Sequence, residues 1–179
     1  MENICKITEY IYKLPSPVGT LTVSCNKNSI TGLWLEGQKY FGSTLTQDAT
    51  DGADHTKHPA VIKSLKKWLD CYFAKTKPEF LPPMPPLAPA GSTFRQAVWN
   101  ILCTIPYGKT ITYGYIAAQL QKETGTKSSA RAVGGAVGHN PISILVPCHR
   151  VLGASGALTG YAGGVDKKIL LLQLEGIIT

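Results

Sequence analysis

The sequence has few acidic residues, no closely paired cysteines and no long apolar run. Its 179 residues include 11 Asp and Glu against 18 Lys and Arg, for a formal net charge of +7. A basic excess of this kind favours polyanionic partners such as nucleic acid. No stretch approaches the roughly 20 apolar residues that cross a membrane, and the N-terminal residues lack the apolar core of a signal peptide. The sequence therefore predicts a cytoplasmic protein without membrane contacts.

Five cysteines are spread along the chain without a Cys-x-x-Cys pair, so a disulfide framework is not indicated. Only Cys148 has a potential base beside it, in the string PCHRV at 147–151. A free thiol is a weak nucleophile at neutral pH until a base or a positive neighbour activates it, and His149 or Arg150 offers one. In an extended segment His149 would act through a water molecule or a local turn. Glu175 is a candidate to orient His149. The alternative to a nucleophile at this string is a buried structural cysteine beside a surface histidine.

Residues 1–90 predict a small β-containing domain. Runs rich in β-branched and aromatic residues, separated by turn-forming residues, predict a meander over Ile7 to Leu14, Leu21 to Cys25 and Ile30 to Leu35. The polar stretch from Gln47 to Lys57 predicts a mobile loop. Apolar residues at helical spacing from Val61 to Phe73 predict an amphipathic helix on the sheet.

Half of the twelve prolines fall between Lys77 and Ala90, which predicts an extended connector to a second domain at 91–179. That domain opens with Thr93 and Gln96 at the spacing of a capping box. The first helix of this domain is predicted to end near Thr104. Three more are predicted, from Tyr113 (capped by Thr112) to about Gln121, from Ala130 to Gly138, and from about Asp166 to Glu175. The two middle helices, joined by a short polar turn, predict a helix-turn-helix.

The helix predicted at Ala130 to Gly138 consists of small residues around one arginine, Arg131. Each glycine inside a helix costs about 1 kcal/mol relative to alanine, so its three glycines need a reason. One reason is close approach to a DNA groove, where Arg131 can enter the base stack or neutralise a phosphate. The other is tight packing against the first helix of the pair. Nearby basic residues favour DNA: Arg95, Lys109, Lys122, Lys127 and Lys167.

In this order the motifs resemble the O6-alkylguanine-DNA alkyltransferases, also called methylated-DNA-protein-cysteine methyltransferases. The resemblance depends on IPYGKTITY at 105–113, ARAVG at 130–134, NPISILVPCHRV at 140–151, GYAGG at 160–164 and LLQLEG at 171–176. These strings cover nearly all of the second domain, and the first domain is similar only in its strand pattern and one turn. The strings from Asn140 to Gly164 look most like those of bacterial members.

The resemblance implies an α+β protein, with a small ribonuclease H-like sheet and a helix joined to a mostly helical domain that contains a winged helix-turn-helix. It implies a monomeric DNA-repair enzyme that needs no cofactor and binds double-stranded DNA bearing O6-alkylguanine. The alkyl group would pass to the Cys148 thiolate after base flipping, once per molecule. The sequence leaves open whether O4-alkylthymine is repaired and whether binding along DNA is cooperative.

The resemblance also implies a role for each site residue. The catalytic roles are Cys148 as nucleophile, His149 as a base through water, Glu175 as its orienting partner, Asn140 as a hinge between the DNA-binding helix and an active-site strand, and Tyr113 as proton donor to the leaving guanine. DNA contacts are implied for Arg131, which fills the gap left by the flipped nucleotide, and for Arg95, Thr112, Ser129, Ala130, Ala132, Gly134 and Gly135. A base pocket is implied at Pro141, Val151, Tyr161, Ala162 and Gly163.

Two departures and two alternatives complete the prediction. Some members bind zinc through two cysteines and two histidines; Cys5 and Cys25 fall where those cysteines lie, but the matching histidines are missing. His55 and His58 lie in or beside the predicted loop, so we predict no metal. The chain also lacks the four-cysteine module of regulatory members. The alternatives are a lesion-binding relative, against which Cys148 argues, and a thiol hydrolase that turns over and ignores DNA.

Overall fold

Four strands form the N-terminal sheet in the order β3-β2-β1-β4. The computed structural model describes residues 8–52 and 59–179. The strands are β1 (Tyr10–Leu14), β2 (Leu21–Cys25), β3 (Ile30–Leu35) and β4 (Thr50–Asp51). β2 pairs antiparallel with β1 and β3, which confirms the predicted meander, although its first residue, Ile7, lies outside the described residues.

The short strand β4 shows that the prediction of a loop from Gln47 to Lys57 is wrong in part. Thr50 and Asp51 pair in parallel with Tyr10 and Ile11 of β1. The reason is that β1 is an edge strand of the meander, and its unpaired backbone groups accept another strand. Residues 53–57 of that prediction lie outside the described residues.

Helix α1 (Ala60–Phe73) lies at the position that the apolar spacing predicts. Its buried residues recur every three or four positions and pack with the sheet: Val61, Ile62, Leu65, Trp68, Leu69 and Tyr72. The chain then makes one 3-10 turn at Pro78–Phe80 and runs extended alongside β3, where Ile30 N donates to Pro86 O at 2.8 Å and Ala88 N donates to Ile30 O at 2.8 Å.

The C-terminal domain is built from four helices and one short strand pair. The helices are α2 (Thr93–Cys103), α3 (Tyr113–Thr124), α4 (Ala130–Gly138) and α5 (Val165–Leu174), and β5 (Ile111–Thr112) pairs in parallel with β6 (Val151–Leu152). Two predicted ends are wrong by a few residues. Ser92 rather than Thr93 caps α2, since its Oγ accepts from Arg95 N at 3.4 Å, and α3 continues past Gln121 until Gly125 ends it in the left-handed region.

One apolar core spans both domains, and β3 joins them through the backbone. Leu33 N donates to Pro141 O, and Ser143 N donates to Leu33 O, each at 2.8 Å. Lys39 N, shortly after β3, donates to Ala162 O at 2.9 Å. These bonds hold the segment that leads to Cys148 against the N-terminal sheet. Over residues 8–52 and 59–179, no helix is long and apolar enough to cross a membrane.

Candidate active site

The reactive turn, residues 140–150, connects α4 to β6 and is buried along its whole length. An active-site strand was expected at Cys148, but Cys148–Arg150 form one turn of 3-10 helix instead, in which Arg150 N donates to Pro147 O at 3.0 Å. In this turn, successive side chains no longer point to opposite sides as they do in a strand. Cys148 borders an open cavity, while His149 beside it is fully buried.

Asn140 holds the reactive turn closed with both ends of its side-chain amide. Its Nδ2 donates to Val146 O at 2.9 Å and to Cys148 Sγ at 3.0 Å, and its Oδ1 accepts from Ile142 N at 3.0 Å. Asn140 lies two residues after the end of α4, and its role as a hinge stays a prediction. An N–H donor aimed at sulfur stabilises the negative charge that develops when the thiol loses its proton.

The Cys148 thiol is 3% exposed, and its environment acts on its acidity in two directions. Burial raises the pKa of Cys148, while the hydrogen bond from Asn140 and the positive charge of Lys168 act to lower it. The first effect is the largest, so the resting sulfur keeps its proton at neutral pH. A base must therefore remove that proton before Cys148 can attack.

Glu175 follows α5 and collects donors from several parts of the fold. Its Oε1 accepts from Tyr72 Oη at 2.7 Å and is 2.8 Å from His149 Nε2, and its Oε2 accepts from Arg150 Nε at 2.8 Å and from Gly108 N at 3.3 Å. Burial by itself would raise the pKa of this carboxyl. The hydrogen bonds from His149 and Arg150 outweigh burial and lower the pKa of Glu175 to about 2, so it is a carboxylate at neutral pH.

The ionised Glu175 determines which nitrogen of His149 can act as a base. A carboxylate only accepts hydrogen bonds, so His149 Nε2 carries the hydrogen and Nδ1 carries the lone pair. Nδ1 is buried, and no atom of the described residues bonds it. Burial lowers the pKa of His149, which keeps the ring neutral and able to accept a proton.

Arg150 serves the carboxylate and not the thiol. Its Nε and Nη2 donate to Glu175 at 2.8 and 3.0 Å, and its Nη1 donates to Ile105 O at 2.7 Å. All three nitrogens of the guanidinium therefore have an acceptor, two of them on Glu175. None of these hydrogen bonds goes to Cys148, so of the two neighbours that the sequence offers, His149 is the one that fits the role of base.

A cavity of about 430 Å³ opens above Cys148. It brings together residues of α3, α4 and the loop before α5 that the sequence predicts for the site: Tyr113, Ala130, Gly134, Gly135, Cys148, Tyr161 and Ala162. Its volume is within the roughly 300–1,000 Å³ of small-molecule sites. Burial raises the pKa of Tyr113, so its phenol stays protonated beside Cys148.

The glycines of α4 are not explained by packing inside the protein. Apart from the adjacent backbone of α4 itself, a Cβ atom at Gly135 or Gly138 would meet no atom of the described residues within 4 Å, and one at Gly134 would meet the Tyr113 ring at an ordinary 3.8 Å. Tight packing against α3 is therefore the wrong explanation for this helix. The small residues leave an open, smooth surface on which Arg131 is exposed, and a partner outside the chain can approach it closely.

The other predicted DNA contacts lie at helix starts. Ser129 caps α4 by accepting from Ala132 N at 3.1 Å, and Thr112 caps α3 by accepting from Tyr115 N at 3.2 Å. Arg95 lies in the first turn of α2 and does not border the cavity. Its contact with DNA stays a prediction.

Three residues predicted for the base pocket are buried and do not border the cavity: Pro141, Val151 and Gly163. Gly163 has a different requirement, because a Cβ there would lie 2.5 Å from Leu35 of β3. Pro141 is bonded to β3 through its carbonyl oxygen. A place for these three in a base pocket stays a prediction.

Sequence reasoning missed the residues that reach the site from distant parts of the chain. Lys39 and Tyr40, after β3, border the cavity, and the Tyr40 ring stacks on His139 with centroids 3.8 Å apart. Lys168 is buried on α5, where its Nζ donates to Val151 O at 2.6 Å and to Thr159 O at 2.9 Å. A signal existed only for Lys168, a charge on the buried face of an amphipathic helix.

The zinc question falls largely outside the described residues. Cys5, His55 and His58 lie in segments that are not described, and Cys25 is a buried free thiol whose pKa burial raises to about 11. Among the residues that are described, no three His, Cys, Asp or Glu side chains are grouped to hold a metal ion. The prediction of no metal stays a prediction.

A buried Cys-His-Glu set below an open, basic helix-turn-helix defines a DNA-binding protein with a nucleophilic cysteine. Two family models match the chain: the DNA binding domain of 6-O-methylguanine DNA methyltransferase over residues 93–177, and its ribonuclease-like domain over residues 9–85. The chain belongs to the 6-O-methylguanine DNA methyltransferase family. The matches confirm the resemblance and the predicted fold class in both domains.

Individual relatives are similar over nearly the whole length. The methylated-DNA–protein-cysteine methyltransferase of Mycobacterium tuberculosis is 43% identical over 162 residues, which cover 90% of this chain and 89% of the relative. The Haemophilus influenzae protein of that name is 38% identical over 169 residues, covering 94% and 87%. The crystal structure of Mycobacterium tuberculosis OGT in complex with DNA has a TM-score of 0.77 at 42% identity, covering 93% of this chain and 92% of that one.

Proposed function

We propose that this protein repairs DNA by transferring the alkyl group from O6 of guanine in duplex DNA to Sγ of Cys148. The observation that supports this most directly is the position of Cys148, which borders an open cavity and accepts a hydrogen bond from Asn140. His149 and Glu175 form the adjacent acid-base pair. The names of the relatives and the DNA complex of one of them agree with this reaction.

The first step is removal of the thiol proton. One water molecule passes it from Cys148 to Nδ1 of His149, and the Glu175 carboxylate stabilises the imidazolium through Nε2. The hydrogen bond from Asn140 offsets part of the charge on sulfur. Because Glu175 already accepts from Arg150 and Tyr72, it is held in place and little reorganisation is needed.

The second step is the transfer itself. A bond forms between Sγ of Cys148 and the alkyl carbon while the bond from that carbon to O6 breaks. The leaving guanine takes a proton from Tyr113, which regains one from the imidazolium of His149 after the base departs. The product is a thioether, which is inert as a nucleophile and a poor leaving group. Each protein molecule therefore acts once and needs no cofactor.

The target atom lies inside the duplex, so the nucleotide must be flipped into the cavity, at a cost of a few kcal/mol. The smooth surface of α4 enters the minor groove, and Arg131 fills the gap in the stack. Tyr161 packs on the flipped base, together with Ala162. Since the minor groove distinguishes base pairs poorly, sequence preference is weak. We further propose that the protein works as a monomer and in the cytoplasm.

The test is intact and peptide mass spectrometry after mixing the protein with a duplex that contains one O6-methylguanine, with an unmodified duplex as control. We expect one added methyl group on the peptide containing Cys148, saturating at one per protein. Unmodified protein that still retards the lesion duplex on a gel would instead indicate a lesion-binding protein. Hydrolysis of esters in excess of the protein would indicate a thiol hydrolase.

A further inference from the structure

We propose that Tyr72, on α1 of the N-terminal domain, is a positioning residue for the Glu175–His149 pair, so that the reactive site is completed across the domain boundary. The inference depends on the proposed function, because Tyr72 acts only through that pair. Tyr72 lies 103 residues from Glu175 in sequence, and its hydroxyl donates to Glu175 Oε1 at 2.7 Å.

The hydroxyl of Tyr72 meets the one carboxylate oxygen that also contacts the proposed base. Glu175 Oε1 is 2.8 Å from His149 Nε2 and accepts from Arg150 Nη2 at 3.0 Å. Three donors therefore converge on Oε1, from α1 and from the reactive turn. The direction in which this oxygen faces His149 depends on all three.

The ring of Tyr72 is fully buried and held by other aromatic rings. It stacks on Trp68 with centroids 5.1 Å apart and an interplanar angle of 13°, and it contacts the edges or faces of Phe73 at 5.3 Å and Tyr107 at 6.1 Å. A ring packed on three sides cannot turn away from Glu175. The N-terminal domain thus presents its hydroxyl at a fixed position, which is what orienting a carboxylate requires.

The hydrogen bond also affects the basicity of the pair. Burial raises the pKa of Tyr72 well above its ordinary value, so Tyr72 remains a neutral donor across the working pH range. A donor to Glu175 reduces the charge that the carboxylate presents to the imidazole. Removing it raises the pKa of His149, because a less satisfied carboxylate stabilises the imidazolium more strongly.

The other groups that face this pair set the background for that shift. The titratable and charged groups around Glu175 and His149 are Tyr72, Tyr107, Cys148, Arg150 and Lys168. The two cations oppose protonation of His149 and stay in place when Tyr72 changes. A higher pKa of His149 means that less of the neutral base is present at low pH, so the acid limb of the rate profile moves to higher pH.

The experiment compares Tyr72→Phe with the matched variant Tyr107→Phe. Tyr107 belongs to the same aromatic cluster, but its hydroxyl donates to the backbone carbonyl of Leu174 at 3.3 Å and not to Glu175. Both variants remove one hydroxyl and keep the ring. The measurements are the single-turnover rate on an O6-methylguanine duplex from acid to alkaline pH, the Kd for that duplex, and thermal unfolding.

We expect Tyr72→Phe to slow transfer about tenfold at neutral pH, because Glu175 is no longer held facing His149 and this loss outweighs the greater basicity of the imidazole; one hydrogen bond to a charged group has an effect of this size. The Kd should be unchanged, and the acid limb should lie at higher pH. Tyr107→Phe should keep the wild-type rate and profile. Tyr72 is only structural if the two variants give superimposable profiles, or if the loss of rate follows the loss of Tm equally in both. If the wild-type protein transfers nothing, the proposed function fails and this role with it.

Discussion

The reactive turn and helix α4 are adjacent in sequence, but the turn is buried and bonded within the chain, whereas one side of α4 is open. In residues 140–150 every residue is buried, and Asn140, His149 and Arg150 are bonded to other parts of the chain. On α4 the exposed side shows Arg131 and glycines with open space beside them. The folded chain has therefore already arranged the groups that we propose for the reaction, whereas the surface of α4 is left open to a partner, which we propose is DNA.

The comparison predicts that changing the nucleophile separates transfer from binding, and this is the largest effect. Cys148→Ala removes the attacking sulfur and leaves α4 untouched, so transfer is abolished while the Kd for an O6-methylguanine duplex changes less than about twofold. Mass spectrometry measures the transfer, and gel retardation measures the Kd. The assignment is lost if Cys148→Ala protein still becomes methylated.

Glu175 gives the reactive turn a pH-dependent stability that α4 does not share. Its pKa is lowered from 4.5 to about 2. The folded protein therefore has this extra stability above pH 4.5 and loses it as the pH falls from 4.5 to about 2. The size is about 3 kcal/mol at neutral pH, by linkage. Urea unfolding of the wild type between pH 6 and pH 2 measures it.

The control for that pH dependence is Glu175→Gln. Glutamine cannot ionise, so the variant should lack most of this acid-dependent loss and start from a lower stability, since Arg150 loses its charged partner in a buried place. Its transfer rate should fall at least tenfold, because the imidazolium of His149 is no longer stabilised. A wild-type curve parallel to that of the variant would refute the assignment of the ionised state.

The exposed side of the comparison is tested at Arg131. Arg131→Ala should slow repair in duplex DNA about 10- to 100-fold, because the flipped nucleotide loses the group that fills its place, while attack on the free alkylated base stays the same. Single-turnover rates on the two substrates measure this. Lys66→Ala, which removes an exposed charge on α1, is the control and should leave both rates unchanged.

If Arg131→Ala slows the reaction equally on duplex DNA and on the free alkylated base, the arginine belongs to the reactive site and has no role in flipping. Binding of the wild-type protein should also weaken as salt rises, since phosphate contacts dominate affinity for DNA. The salt slope of Arg131→Ala then shows whether this arginine also neutralises a phosphate.

Most of the fold could be predicted because its signals are local. The apolar spacing of α1, the cap Thr112, and Gly176 after the last helix are all decided within a few residues. The two-residue strand β4 could not be predicted, because only pairing with the edge of β1, about forty residues away in sequence, defines it. The cap of α2 was predicted one residue too late, at Thr93, because serine and threonine are both good caps and only the backbone of the folded chain distinguishes them.

The candidate site divides in the same way. The string around Cys148 and the glutamate after α5 made these residues candidates from their types, and the family resemblance implied their roles. Tyr72 and Tyr40 could not be found, because they reach Glu175 and the cavity only through tertiary packing. The sequence did not decide between a local turn and an extended strand at Cys148–Arg150, which would point His149 in different directions. The structure has a 3-10 turn there.

The smallest expected effect tests whether α4 is shaped for a partner or for the fold. Gly135→Ala places a methyl group in open space, so it should stabilise the helix by up to about 1 kcal/mol and yet weaken DNA binding several-fold, as the helix can no longer approach the groove as closely. Urea unfolding and duplex Kd measure the two effects. Gly114→Ala in α3, where the nearest atom is 3.9 Å away, is the matched control and should change stability without changing the Kd. If Gly135→Ala and Gly114→Ala bind DNA equally well, the surface of α4 is not the one that approaches DNA, and the contrast with the reactive turn loses its meaning.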